Sequence, residues 1–113
     1  MRTRVKSEVV YISGPISGTS DAEDRFGKAA EWLKNDGHKV LNPMDIHNPP
    51  KNLDETQAIW VYYMREAIKM LVDADCLYMM ENWNTSAGSR LEFNLATNLE
   101  IPIHYAEHDD RYV

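Results

Sequence analysis

The chain has 113 residues, 43% of them hydrophobic, with five glycines and five prolines, the size and make-up of one globular domain with little room for a second core. Twelve basic against eighteen acidic residues give a formal charge of -6, which excludes a general field for nucleic acid or an anionic membrane but not an anionic metabolite held by a few N–H groups at a helix start. Cys76 is the only cysteine, which excludes an internal disulfide and a cysteine-rich zinc site and fits a reducing compartment.

The start, MRTRVKSEVVYISG, is basic but lacks the apolar run of a signal peptide, and no stretch reaches the apolar length of a membrane span, so the cytosol is the expected location. Val9-Val10-Tyr11-Ile12 reads as a buried strand that stops at Ser13-Gly14-Pro15. Ser20 and Glu23 have the spacing of a capping box ahead of Phe26, Ala29, Ala30 and Leu33, which share one helical face, and Asn35-Asp36-Gly37 closes that helix. His38-Lys39-Val40-Leu41 is a second short strand, cut off by Asn42-Pro43, because proline restricts its neighbour and cannot pair within a ladder. Strand, helix, strand makes one right-handed crossover.

Residues 44–54 are rich in Pro and Asn and read as a loop over a surface or beside a site. A second helix is expected over 56–71, burying a stripe that includes Ile59, Trp60, Tyr63, Met64, Ala67 and Leu71. Residues 75–80 form the third strand and 81–85 the loop leaving it. A third helix covers 86–98, and residues 101–105 form a short final strand. The core is expected over 9–105, with a loosely held polar tail over 106–113. This alternation predicts one α/β domain, an open doubly wound and mostly parallel sheet of four or five strands. Ligands of such sheets sit outside the carboxyl ends of the strands, where loops 13–19 and 81–89 fall.

The first loop, Ser13-Gly14-Pro15-Ile16-Ser17-Gly18-Thr19, is neither a lysine phosphate loop nor a dinucleotide fingerprint; it is a plain turn or a cradle for an anion or sugar edge. Ser86-Ala87-Gly88-Ser89 opens the third helix, where free N–H groups and the positive dipole end favour an anion. Glu92 has two readings. Its spacing from Ser89 is that of a capping box, whereas Gly88, Glu92 and Ala96 recur every four residues, a small-residue face with one carboxylate aimed from it. Asp73 and Asp75 fit a solvated turn and a helix stop better than a catalytic pair. Trp60, Tyr63 and Met64 fit core spacing or an aromatic edge over a base. Trp83 is a nucleobase cap or a packed loop anchor. His38, His47, His104 and His108 show no short metal-ligand spacing.

Tyr11-Ile12-Ser13-Gly14-Pro15, Asn42-Pro43, Trp60 with Tyr63-Met64-Arg65, and Asn82-Trp83-Asn84-Thr85-Ser86-Ala87-Gly88-Ser89-Arg90-Leu91-Glu92 together resemble the nucleoside 2-deoxyribosyltransferase-like superfamily. Within it the chain is most similar to a branch found in bacteria and their phages, with likeness to nucleoside-monophosphate N-glycosidases. The resemblance implies a flavodoxin-like, Rossmann-like three-layer fold, a homodimer or larger oligomer, and breakage of an N-glycosidic bond without metal or organic cofactor. It makes Glu92 the nucleophile that attacks the anomeric carbon, the sugar passing to water or a second base. It gives Ser86 and Gly88, helped by the first loop, to a 5′-phosphate, and Tyr11 to the sugar and base. The expected ligand-binding set is Tyr11, Ser13, Gly14, Pro15, Ser17, Asn82, Trp83, Ser86, Gly88 and Ser89. Two positions depart from the pattern: Ala67 stands where relatives carry an aspartate, with Glu66 one place earlier, and Ser17 stands where the glycosidases carry a basic residue. These departures favour the other reading, a non-catalytic nucleotide-binding or regulatory protein that keeps the pocket. Trp60, Tyr62, Tyr63 and Trp83 are also more large side chains than a small core absorbs, which independently suggests a homo-oligomer.

Overall fold

The computed structural model describes residues 7–53 and 55–106. Strand β1 spans Val9–Ser13 and is followed by helix α1, Ala22–Asn35. The expected Ser20–Glu23 capping box does not form: the helix begins one residue later, with Asp21 at its N-cap. The Asp21 carboxylate accepts from Arg25 Nε at 2.9 Å instead of from the first helical N–H groups. At the other end the chain reverses through Gly37, whose φ of +95° costs a residue without a Cβ little. Strand β2, Lys39–Leu41, follows, and Asn42 then caps a single 3-10 turn, Pro43–Asp45, inside the segment expected to be plain loop.

Helix α2, Thr56–Asp73, runs two residues beyond its expected end, and β3 spans Cys76–Met79. Another 3-10 turn, Trp83–Thr85, starts from Asn82, whose left-handed φ of 63° suits asparagine better than most residues. Helix α3, Ala87–Asn98, and β4, Ile103–Tyr105, complete the described elements.

All four strands are parallel, in the order β2-β1-β3-β4. Chain order reverses between β1 and β3, which makes the crevice above them the switch point where such sheets take ligands. Side chains alternate between the two faces. Val10, Ile12, Cys76 and Tyr78 pack toward α1 with Phe26, Ala30 and Leu33, while Tyr11, Leu77 and Met79 pack on the other face with Ala67, Leu71 and Ala96 of α2 and α3. Ala106, expected in the loose tail, is 3% exposed and belongs to the first of these cores, because it directly follows β4 and turns inward. Residues 107–113, the rest of that tail, lie outside the described residues. No helix among the described residues is long and apolar enough to cross a membrane.

Candidate active site

Helix α3 starts at the switch point because Ser86 is its N-cap, its hydroxyl accepting from Ser89 N at 3.2 Å. That cap settles the first ambiguity of Glu92. The helix begins three residues before Ser89 would have placed it, so Glu92 lies in the second turn with its side chain inward, and the capping-box reading fails. Glu92 is 4% exposed. Burying a carboxylate is costly unless its oxygens are hydrogen-bonded, and here both are: Tyr11 Oη donates to Oε2 at 2.5 Å, and Ser13 Oγ donates to Oε1 at 2.6 Å.

Proton accounting extends the network. Ser13 Oγ has one proton, and a carboxylate can only accept, so Ser13 gives that proton to Glu92 and accepts from Ser89 Oγ at 2.9 Å. The relay Ser89 to Ser13 to Glu92 joins α3 to the end of β1. Its members Ser13, Ser89 and Glu92 are the buried polar and charged side chains among the described residues. Burial pushes the Glu92 carboxyl above its ordinary range, while the hydrogen bonds from Ser13 and Tyr11 pull it partly back. Burial, then the charge and hydrogen bond of Glu92, push the Tyr11 hydroxyl well above the usual tyrosine value, so it keeps its proton and remains a donor.

Glu92 forms part of the wall of a cavity of about 430 Å³ between the carboxyl end of β1, helix α2 and the start of α3. Tyr11, Ser13, Gly14, Ser17, Ser86, Gly88 and Ser89 line it too, which brings together seven of the ten expected binding residues around the expected nucleophile. The remaining wall is largely apolar: Pro43, Met44 and Ile46 come from the turn after β2, and Ile59, Trp60, Tyr63 and Met64 from α2. Gly88 sits close against α2: a Cβ there would lie 2.9 Å from Met64 Sδ, so that side chain would have to shift. The first-turn N–H groups of Ala87 and Gly88 have no acceptor within the helix and carry its positive dipole end.

The other expected residues lie elsewhere. Pro15 and Asn82 line a wider groove of about 710 Å³ on the α1 side, together with Arg25, Lys28 and Glu81. Trp83 stacks on Phe93 with ring centroids 4.8 Å apart and lies 6.1 Å from Tyr105, the packed anchor of its two readings. Ala67 does line the cavity, whereas the neighbouring Glu66 pairs with Lys69 at 2.7 Å. Asp75 accepts from Val9 N at 2.8 Å at the amino end of the sheet, a structural role. The segment after β2, read from the sequence as a loop over a surface or beside a site, lies beside the site and supplies one wall through Pro43, Met44 and Ile46; its position at the carboxyl end of β2 fits that place.

Comparison with known proteins agrees with this architecture. A 2-deoxyribosyltransferase from the psychrotolerant bacterium Bacillus psychrosaccharolyticus superposes with a TM-score of 0.67 at 17% identity, over 86% of this chain and 70% of that one. A conserved protein from Enterococcus faecalis V583 gives a TM-score of 0.62 at 13% identity, over 88% of this chain but 63% of its own length. At such identities the likeness establishes the flavodoxin-like fold. No curated protein matches the chain in sequence. Residues 8–105 match the family model described as a domain of unknown function, DUF4406, and the chain belongs to that family.

Proposed function

We propose that the chain cleaves the N-glycosidic bond of a nucleoside or nucleoside 5′-monophosphate by a retaining mechanism with Glu92 as nucleophile. The observation that carries this reading is a buried carboxylate, held through both oxygens by Tyr11 and Ser13, in the wall of a mostly apolar cavity. Glu92 attacks the anomeric carbon, the bond to the base nitrogen breaks with its electron pair leaving on the base, and a glycosyl ester forms. Water or a second base then attacks the same carbon and frees the carboxylate. Raised basicity from burial strengthens the nucleophile, and the cationic sugar of the transition state restores the charge balance that burial denies to the bare carboxylate. A 5′-phosphate would lie against the start of α3, near Ser86, Gly88 and Ser17; no Lys, Arg or His is among the described residues lining the cavity. A homo-oligomer belongs to the same reading, and sedimentation equilibrium showing only monomer at micromolar concentration would remove it.

One observation favours the second reading, a nucleotide-binding protein without turnover: Glu92 is the only carboxylate among the described lining residues, and Ala67, where the resemblance implies an aspartate in relatives, lines the same cavity. A panel of nucleosides and 5′-monophosphates, with chromatography for free base and calorimetric titration for binding, separates the two. The expected result is base release by the parent and, for Glu92→Gln, retained binding with turnover reduced by roughly three orders of magnitude or more. Base release by Glu92→Gln within about threefold of the parent rejects the nucleophile. Binding with no turnover by the parent at high enzyme concentration establishes the second reading.

A further inference from the structure

The face of the sheet turned away from Glu92 gathers a different set of groups. Strand alternation puts Glu8, just ahead of β1, on the same face as Val10 and Ile12, and Cys76 is the partner of Val10 across the β1–β3 ladder. His104 of β4 pairs with Tyr78 and so shares the face of Cys76 and Tyr78. Three parallel strands thereby converge a carboxylate, a thiol and an imidazole whose ligand atoms all lie within 4.8 Å of one another. Sequence spacing could not reveal this, since the residues stand far apart along the chain and meet only through register.

We propose that Glu8, Cys76 and His104 form a zinc site on the α1 face of the sheet, toward the amino ends of its strands. Oxygen, sulfur and nitrogen donors on one zinc ion stand roughly 3.5 Å apart, given metal–ligand distances of about 2.0–2.3 Å, close to the separations, all within 4.8 Å, already present. The three positions are graded in depth: Cys76 is buried, Glu8 half-buried and His104 exposed, so the sulfur forms the base and a cation enters past the imidazole. Glu8 is fixed by its own backbone, its N–H donating to His38 Nδ1 at 3.2 Å and its carbonyl accepting from Lys39 N at 2.9 Å.

Thiolate and carboxylate together neutralise a divalent ion, the thiol proton leaving to solvent on coordination. Three protein ligands leave a fourth position for water on the exposed side. Without a cation, burial followed by the charges of Glu8 and Asp75 pushes the thiol up to about 12, so the same carboxylate that disfavours a bare thiolate attracts the metal.

The test is titration of the metal-free, full-length chain with cobalt(II), followed by displacement with zinc. One equivalent of cobalt should give a sulfur-to-metal charge-transfer band with the visible bands of a tetrahedral ion, and zinc should abolish both. Cys76→Ser should remove the charge-transfer band, and His104→Ala or Glu8→Gln should weaken zinc binding by about tenfold or more while leaving the circular dichroism spectrum unchanged. If Cys76→Ser fails to fold, the other two variants decide, since His104 is exposed and Glu8 only half-buried. A cobalt complex without the sulfur band, no zinc binding at micromolar concentration, or unchanged zinc affinity in both His104→Ala and Glu8→Gln overturns the site.

Discussion

The two cavities at the carboxyl end of the sheet flank the same loop after β1 and differ in what lines them. The groove on the α1 side is the larger, about 710 Å³ against about 430 Å³, yet among its described lining residues it holds no buried carboxylate, and its Arg25 is taken up by Asp21, the Pro15 carbonyl and Thr19. Lys28 there pairs with Asp24 at 3.2 Å with both side chains more than half exposed, an arrangement worth little in water. In the smaller cavity the carboxylate of Glu92 is out of water and already bonded. The difference teaches that a site is marked less by the volume of a hollow than by the buried polar groups the fold supports at its wall.

Variants on the two sides sharpen or break that contrast. The largest effect after loss of Glu92 itself is expected from Tyr11→Phe, which deletes the donor to Oε2 and leaves Ser13 alone on the carboxylate. A hydrogen bond to a charged group is worth about 1.5–3 kcal/mol, so base release should fall by roughly ten- to a hundredfold. Turnover by Tyr11→Phe equal to the parent's would mean that the network is structural only. Next comes Gly88→Ala, whose methyl group requires Met64 Sδ, in the wall of the same cavity, to shift. Its KM should rise by about tenfold with kcat changed less, and unchanged KM would show that this wall does not touch ligand.

A smaller effect concerns stability. The Glu92 carboxyl is held above its ordinary value of 4.5, so the folded state binds its proton more tightly than the unfolded chain does. Its contribution is therefore fully present below about 4.5 and is lost as pH rises through the folded-state value. Glu92→Gln lacks that loss. Its melting temperature should exceed the parent's by roughly 2–5 °C at neutral pH, with the gap closing on acidification. A gap that widens toward low pH would contradict the assigned direction. The same shift places the acid limb of the pH–rate profile above the ordinary glutamate range. Smallest of all is Lys28→Ala in the wider groove, for which turnover within about twofold of the parent is expected; a large loss there would relocate the site.

Much of this was legible in the sequence because strand and helix periods report on burial directly. Val9 to Ile12 and the stripe through Phe26, Ala29, Ala30 and Leu33 carry their environment in their spacing, and so does the small-residue face of Gly88, Glu92 and Ala96. What the sequence could not show is partnership across the fold. Tyr11, expected near sugar and base, lines the cavity, and the bond of its hydroxyl to a residue 81 positions away was not visible in the spacing. Trp83 offered two readings because an aromatic residue at a strand exit looks alike whether it caps a ligand or stacks on Phe93. The start of α1 was misplaced for a local reason: Ser20 has the right spacing to Glu23, but Asp21 engages Arg25 and the helix begins after it.

The position of β1 has a consequence for motion. It is bracketed on both sides by paired strands, so its amides should exchange with solvent only when most of the domain opens. Tyr11 and Ser13 thus hold Glu92 from the slowest-exchanging part of the protein. The turn at Pro43–Asp45, on the far wall of the same cavity, has no ladder on either side. Hydrogen exchange should find fast amides there and slow ones at Tyr11, with a bound ligand protecting the turn alone. That pattern would mean that a ligand enters by local opening of one wall while the carboxylate and its donors stay in place.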